Sequence, residues 1–260
     1  MNRALICFWA ILGTCLLFLP FPLHAGESPA GITIISIYDN YQSNQNLESA
    51  WGFACVIKMP GGTILFDTGG NAEILLANME KMQIQPESID KVVISHIHQD
   101  HLGGLKGFLE RNHSVTVFIP SSFPDAAGEM IRRKGAAFVP VSEGKKISDS
   151  VYTTGELPGP PAEQSLVIDT EKGLIVITGC AHPGIVDVIA RAQTLTAKSR
   201  IYLVMGGFHH PPLSVVQKFR KIGVEKVAPS HCTGDAVRNA FAREYGDNFI
   251  ASGAGLIIRP

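Results

Sequence analysis

The sequence of 260 residues has no excess of charge of either sign, because 22 Lys and Arg residues stand against 23 Asp and Glu, giving a formal net charge of −1. A chain this close to neutral gives no electrostatic reason to expect binding to nucleic acid or to an anionic membrane. No block of like charges, low-complexity tract or long linker follows residue 30. Together with a hydrophobic content of 45%, this favours a single globular domain over residues 26–260 with a substantial core.

Cysteine is scarce, and the sequence lacks the nucleophile motif Gly-x-Ser-x-Gly of serine hydrolases. Two of the five cysteines lie near the start, and the other three, Cys55, Cys180 and Cys232, are widely spaced. An odd number of scattered thiols excludes a disulfide framework. Cys55 lies in an apolar run and is expected to be a core residue.

Residues 1–25 differ in composition from the rest of the chain. Arg3 is the only early charge, residues 4–19 are almost wholly apolar, and the segment ends in Ala25. This pattern predicts a secretory signal peptide that is cleaved after Ala25. The apolar run is shorter than a comfortable bilayer span, so we expect an exported, periplasmic or secreted protein without a stable membrane anchor after cleavage.

Strand-like and helix-like segments alternate through the remainder of the chain. The Pro60-Gly61-Gly62 segment is typical of a hairpin turn between the second and third strands. Strands come first and strand-helix alternation follows, which predicts an α/β fold in which two sheets pack together with helices outside, a four-layer αββα sandwich. The predicted strands include Ile32 to Tyr38, Phe53 to Met59, Thr63 to Phe66, Lys91 to Ser95, Val115 to Ile119, Leu174 to Thr178, Ile201 to Met205, Lys226 to Ala228 and Leu256 to Ile258, and the predicted helices include Ala72 to Met82, Asp125 to Lys134, Ile185 to Leu195, Leu213 to Ile222 and Asp235 to Tyr245.

Four side chains that can bind metal lie in one hexapeptide, His96-Ile97-His98-Gln99-Asp100-His101, at the end of a β-branched strand. His96 and His98 alternate along extended backbone and can therefore point to the same ion. Asp100 and His101 follow at the turn, where they can face a second ion. A metal site explains this density of imidazole and carboxylate groups far better than a solvated loop does.

Two later segments repeat the arrangement of a buried strand followed by histidine. His182 follows the strand that ends at Thr178, and His231 follows the strand that ends at Ala228. Taken alone, each is as readily a loop histidine as a ligand. Three strand ends can converge on one edge of a sandwich, and together with the hexapeptide these histidines become candidate metal ligands.

The combined motifs resemble those of the metallo-β-lactamase superfamily. The hexapeptide, preceded by Asp67-Thr68-Gly69, carries the general resemblance. The segments Gly179-Cys180-Ala181-His182, Gly206-Gly207-Phe208-His209 and Ser230-His231-Cys232-Thr233-Gly234 resemble a narrower branch named after dihydropterin-ribofuranosyl-aminobenzene phosphate synthase. The resemblance implies the αββα fold and two divalent metal ions, most often zinc, with iron and manganese as alternatives.

The resemblance also implies roles for individual residues. His96, His98 and His182 would hold one metal ion, and Asp100, His101 and His231 the other. Cys180 stands where many relatives carry a bridging aspartate, and it either binds metal or lines the pocket. Asp67 would support a ligating histidine, and His209 either positions substrate or is an exposed loop residue.

Metal-activated water makes a protein nucleophile unnecessary, so we expect hydrolysis of an ester, amide, thioester or phosphoester bond in a small molecule. Asp100 is the candidate for orienting the nucleophile or relaying a proton. One alternative is a pterin-related synthase or transferase. A second is a metal-containing protein that binds a small ligand without catalysis. The sequence does not identify the substrate or the oligomeric state.

Overall fold

Successive residues of each strand point to opposite faces, and the strands form two sheets. The structure is a computed structural model that describes Met1 and residues 31–260. The strands are β1 (Thr33–Asp39), β2 (Phe53–Met59), β3 (Gly62–Phe66), β4 (Lys91–Val93), β5 (Thr116–Pro120), β6 (Ala137–Val141), β7 (Glu143–Ser148), β8 (Val151–Gly155), β9 (Leu166–Thr170), β10 (Gly173–Thr178), β11 (Ile201–Gly207), β12 (Lys226–Ser230) and β13 (Ile257–Ile258). The first sheet has the order β13-β1-β2-β3-β4-β5-β6, and the second has the order β12-β11-β10-β9-β8-β7.

Helices cover the outer face of each sheet. They are α1 (Ala72–Lys81), α2 (Gln99–Leu102), α3 (Leu105–Arg111), α4 (Asp125–Arg133), α5 (Ile185–Thr196), α6 (Val215–Ile222) and α7 (Asp235–Tyr245), with short 3-10 turns at Pro86–Ser88, His231–Thr233 and Gly246–Asn248. Apolar residues of α1, α3 and α4 pack on the first sheet, and those of α5, α6 and α7 pack on the second. The predicted four-layer αββα sandwich is thereby confirmed.

A continuous apolar layer lies between the two sheets. Along β2, Phe53, Cys55 and Ile57 point into this layer, whereas Ala54 and Val56 face the helices. This is the period of two that a strand with both faces covered requires. The expected core position of Cys55 is therefore confirmed, since its side chain is fully buried between the sheets.

The parallel strands of both sheets determine where loops can meet. In the first sheet β3, β4 and β5 run parallel, and in the second sheet β10, β11 and β12 do the same. Side chains that follow the carboxyl ends of such strands collect at one edge. The hairpin before β3 is tighter than the sequence suggests, because Gly62 already pairs with Met59 as a strand residue.

The prediction of a signal peptide over residues 1–25 is corrected. Apart from Met1, this segment lies outside the described residues, and the structure offers it no support. Within the described part of the chain, no helix has the length and apolar character needed to cross a membrane. No described residue tests the exported location, periplasmic or secreted, which stays a prediction.

Candidate metal centre

The ends of four parallel strands bring the metal-binding side chains together. The hexapeptide follows β4, His182 follows β10, and His231 follows β12 directly. His209 follows β11, the strand that comes between β10 and β12. The residues that the sequence singles out from distant segments therefore lie at one edge of the sandwich.

His96, His98 and His182 form the first group of donors. Their candidate ligand atoms lie within 4.8 Å of one another. The ring centroid of His96 is 4.8 Å from that of His98 and 4.5 Å from that of His182. His96 is fully buried, whereas His98 is exposed. The group is thus anchored in the core on one side and open to solvent on the other.

Asp100, His101 and His231 form the second group. The Nε2 atoms of His101 and His231 are 3.2 Å apart. Oδ2 of Asp100 lies 3.2 Å from Nε2 of His231 and 3.7 Å from Nε2 of His101. Three atoms with lone pairs thus face one point, which is the arrangement that a bound cation satisfies.

Cys180 lies between the two groups. Its Sγ is 3.2 Å from Nε2 of His101, and the two residues form a further donor group with His96. Cys180 also contacts Cys232, which was not singled out from the sequence, with 3.3 Å between the sulfur atoms. A sulfur donor is therefore within reach of the same centre as the imidazoles.

Asp67 and Ser95 orient two of the histidines. Oδ1 of Asp67 accepts from the backbone N–H of Ser95 at 2.7 Å, and Oδ2 accepts from the Ser95 hydroxyl at 2.8 Å. That hydroxyl has one proton, so it accepts from Nδ1 of His96, 2.9 Å away. Nδ1 of His101 lies 2.7 Å from Oδ2 of Asp67 and donates to that oxygen. Both imidazoles are left with a free Nε2 lone pair.

Asn40 orients the ring of His231, and Glu163 orients the ring of His182. The Asn40 amide donates to the carbonyl of His231 at 3.3 Å, which turns its Oδ1 toward Nδ1 of that residue, 3.0 Å away. Nδ1 of His182 lies 2.9 Å from Oε2 of Glu163. All four buried or nearly buried histidines therefore direct a free Nε2 into the centre. Nε2 of His96 is buried without a hydrogen-bond partner among the described residues.

Burial sets the electrostatics of the centre. It lowers the pKa of His96 and of His101 to about 3, with repulsion from neighbouring histidines acting in the same direction. Burial also raises the pKa of Asp67 to about 8. Burial would raise the pKa of Asp100, but its contacts with His231 and His101 outweigh that effect and lower it. Neutral imidazoles that resist protonation are the form that binds metal.

Glu163 supports the loop after β10 that carries Cys180 and His182. It was not among the residues predicted from the sequence. This fully buried carboxylate accepts from the backbone N–H groups of Cys180, Ala181 and His182, each at 2.9 Å. Burial opposes ionisation, yet these hydrogen bonds and the His182 contact lower the pKa of Glu163 to about 2. Glu163 is a single acid in an irregular segment, so no local pattern marks it. Glu156 is another acid close by in the sequence, but its carboxylate accepts hydrogen bonds from Ser121 and Ser122 instead.

Gln164, the next residue, ties this segment to the first sheet. Its backbone N–H donates to the carbonyl of Ser95 at 2.9 Å. Its side-chain amide donates to the carbonyls of Ile94 and Phe118 at 2.9 and 3.2 Å. The dipeptide 163–164 therefore contacts both of the strand ends that carry the first donor group.

Several residues at the centre have backbone conformations that L-amino acids rarely adopt. Positive φ angles occur at Asp67, Ala181, His209, His210 and His231, between 45° and 60°. Each such residue costs about 1 kcal/mol or more relative to ordinary backbone. Their concentration here indicates that side-chain placement, rather than local backbone preference, determines these turns.

Two exposed aromatic rings border the centre. The His209 ring lies 4.3 Å from that of His182. The Trp51 ring lies 4.7 Å from that of His231, and the indole is 56% exposed. Gly52 beside it is held closely, because a Cβ there would meet the carbonyl oxygen of Asp100. One exposed ring thus flanks each donor group.

Comparison with known proteins places this architecture in a family. The model of the metallo-β-lactamase superfamily matches residues 52–231. A 7,8-dihydropterin-6-methyl-4-(β-D-ribofuranosyl)-aminobenzene-5'-phosphate synthase of Methanocaldococcus jannaschii is 30% identical to this chain over 283 aligned residues, covering 88% of this chain and 96% of the synthase. An uncharacterized protein of the same organism is 29% identical, with 80% of this chain and 92% of that protein covered.

Solved structures show the same fold. A metal-dependent hydrolase of the β-lactamase superfamily, Tm1679, superposes with a TM-score of 0.73 and 27% identity, covering 88% of this chain and 99% of that one. The metallo-β-lactamase fold protein YhfI from Bacillus subtilis superposes with a TM-score of 0.64 at 11% identity, with the same coverage. On the family match, the full-length relatives and the shared fold, this chain belongs to the metallo-β-lactamase superfamily.

Proposed function

We propose that this protein is a metal-dependent hydrolase that holds two divalent cations and cleaves an ester, amide, thioester or phosphoester bond of a small molecule. Zinc is the first candidate, because it accepts the nitrogen, oxygen and sulfur donors present here, and iron and manganese are the alternatives. His96, His98 and His182 would hold one cation. Asp100, His101 and His231 would hold the other, with the Cys180 sulfur in reach of both groups.

One observation carries the proposal. Four of the five candidate histidines have their Nδ1 atoms engaged by Asp67, Ser95, Asn40 or Glu163, so their Nε2 lone pairs point inward. For His96 that nitrogen is buried and has no partner among the described residues. An unpaired buried polar atom costs about 1–3 kcal/mol, and such a lone pair among other nitrogen, oxygen and sulfur donors indicates a bound cation.

The protein supplies orientation and a proton acceptor around this centre. Two bound cations would lower the pKa of a water molecule and polarise the bond to be cleaved. Asp100 is partly exposed, and its Oδ2 lies 3.2 Å from Nε2 of His231 and 3.7 Å from Nε2 of His101, at the edge of the centre. Its carboxylate is therefore placed to orient the attacking water and to accept its proton.

Metal content and hydrolysis together test the proposal. The purified chain should contain about two equivalents of divalent metal and cleave at least one member of a panel of esters, thioesters, lactams and phosphodiesters. His98→Ala and Asp100→Ala should lose metal and turnover together. His113→Ala, which removes an exposed histidine from a different part of the chain, is the matched control. Full turnover in a metal-free preparation contradicts the proposal.

A second candidate is a pterin-related synthase or transferase reaction. The full-length similarity to the dihydropterin-ribofuranosyl-aminobenzene phosphate synthase favours it, and so do the exposed rings of Trp51 and His209, which suit a planar heteroaromatic substrate. Incubation with a dihydropterin and an aminobenzene derivative separates the two candidates. A coupled product identified by mass spectrometry, without hydrolysis of the panel, favours the synthase.

A further inference from the structure

Cys180 and Cys232 form a pair of buried thiols at the edge of the candidate metal centre. Their sulfur atoms are 3.3 Å apart, and each residue is 3% exposed. They come from different strand ends, Cys180 after β10 and Cys232 after β12, so the contact joins segments 52 residues apart. Gly207 of β11 lies between them, and a Cβ there would approach the Cys232 sulfur to 2.7 Å.

The pair contacts a candidate metal ligand on one side and the backbone of His209 on the other. The Cys180 sulfur is 3.2 Å from Nε2 of His101. The Cys232 sulfur accepts from the backbone N–H of His209 at 3.3 Å. The third described cysteine, Cys55, is instead enclosed by apolar residues between the sheets. The structure therefore offers two neighbouring thiols at the centre and one isolated thiol as an internal reference.

We propose that Cys180 and Cys232 are a redox-active dithiol, which hydrogen peroxide converts into a disulfide at the candidate metal centre. One thiol loses its proton and attacks the peroxide, the O–O bond breaks, and the departing hydroxide takes up that proton, so that a sulfenic acid and one water molecule result. The second thiol then attacks the sulfenic sulfur, the S–O bond breaks, and the S–S bond forms with release of a second water. Two thiols lose two electrons and two protons in total, and one peroxide is reduced to two molecules of water.

The position of the pair gives the reaction a consequence for the centre. A disulfide bond is about 2.05 Å long, so the sulfurs must approach each other by roughly 1.3 Å. The S–S bond also removes the thiol group of Cys180 that faces His101, so this sulfur can no longer act as a thiolate donor to a cation. Oxidation should then weaken metal binding by about tenfold or more, as the loss of a close supporting group typically does. This second step rests on the proposed metal centre, whereas disulfide formation does not.

Peptide mapping tests the disulfide directly. The full chain is reduced, freed of metal with a chelator, desalted and treated with one equivalent of hydrogen peroxide. Digestion without reductant should then yield a cross-linked peptide that contains Cys180 and Cys232, 2 Da lighter than the sum of its parts, and dithiothreitol should release it. Cys55→Ala should give the same cross-link, and Cys232→Ser should give none. Recovery of Cys180 and Cys232 only as separate peptides would overturn the proposal.

Zinc affinity tests the effect on the centre. Competition with a chromophoric chelator should show affinity about tenfold or more lower after peroxide treatment, with recovery after reduction. The Cys232→Ser variant should show no reversible change of this kind. Equal affinity of reduced and cross-linked protein would overturn the coupling between the dithiol and the centre. Both readouts are independent of turnover, so a failure of the hydrolase assignment does not affect the mapping result.

Discussion

Oδ2 of Asp67 lies 2.7 Å from Nδ1 of His101, and both side chains are completely buried. The carboxylate belongs to the turn after β3, and the imidazole belongs to α2, so the contact joins the end of β3 to the hexapeptide of candidate metal ligands. A buried carboxylate in this position fixes the tautomer and the orientation of the ring. In its ionised form, the carboxylate would also place negative charge behind the imidazole and so strengthen the binding of a cation.

Replacing Asp67 with Asn should therefore weaken zinc binding by about 10- to 100-fold. The amide nitrogen would oppose either the Ser95 donor or the Nδ1 proton of His101. Competition titration with a chromophoric chelator measures the effect. Asp90→Asn is the control, because Asp90 is exposed and accepts from Thr63 near the start of β4. Equal zinc affinity of wild type and the Asp67 variant would contradict this prediction.

Replacing Glu163 with Gln should lower both the stability and the zinc affinity. The carboxylate accepts from three backbone N–H groups and from the His182 ring, and an amide provides only one accepting oxygen. We expect a loss of about 1–3 kcal/mol in the free energy of unfolding, measured by urea denaturation of the metal-free protein. Glu156→Gln, whose partners are exposed hydroxyl and backbone groups, should change stability by much less.

Trp51 should determine affinity for planar substrates. Its exposed indole borders the second donor group, and stacking of a flat ring there contributes about 1 kcal/mol. Trp51→Ala should therefore raise KM for an aryl ester about fivefold, with kcat nearly unchanged, and Trp51→Phe should restore most of the loss. Alkyl esters serve as the comparison. A similar rise in KM for alkyl and aryl esters would show that the indole has a structural role only.

Tyr245 should make the protein less stable at high pH. Burial raises its pKa to about 12, and its hydroxyl has no hydrogen-bond partner among the described residues. The folded state thus retains the proton above the unfolded pKa of about 10. Its contribution to stability is complete below that pH and decreases as the pH rises toward the folded value. In urea denaturation at a series of pH values, Tyr245→Phe should lose less stability than wild type across this range.

Ala197 offers a way to stabilise the fold without touching the centre. It ends α5 in the left-handed conformation, with φ 54° and ψ 31°, and is exposed. Glycine adopts this conformation without steric cost, so Ala197→Gly should raise the free energy of unfolding by about 1 kcal/mol. Ala190→Gly, an exposed substitution inside the same helix, should lower it by a similar amount. Thermal denaturation of the two variants measures opposite shifts.

The fold was predictable because local signals and tertiary structure agree. Alternating buried residues, as along β2, mark strands with two covered faces, and the bounds of β2 and α7 match the prediction. The histidines at three strand ends were predictable as a group because parallel strands deliver their ends to one edge. The structure gathers them into the two groups that the resemblance implied.

The supporting residues were not predictable to the same degree. Glu163, Asn40 and Gln164 are single polar residues in irregular segments, and their roles arise only from contacts across the fold. Ser95 and Cys232 had a weak local signal, since each adjoins a candidate ligand in the sequence. Distance in the chain, rather than any unusual chemistry, conceals such residues from sequence reasoning.

The dipeptide 163–164 also separates the geometry of the centre from the loop that precedes it. Leu157 and Glu163 exchange backbone hydrogen bonds and close off residues 158–162 as a short excursion. Everything that aligns the two strand ends lies beyond that closure. The excursion itself passes beside the loop that carries His182, because a Cβ at Gly159 would lie 3.3 Å from the backbone nitrogen of Pro183 and 3.4 Å from the carbonyl carbon of His182. We therefore expect insertions in this loop to leave the position of His182 unchanged only where they preserve the contact at Gly159.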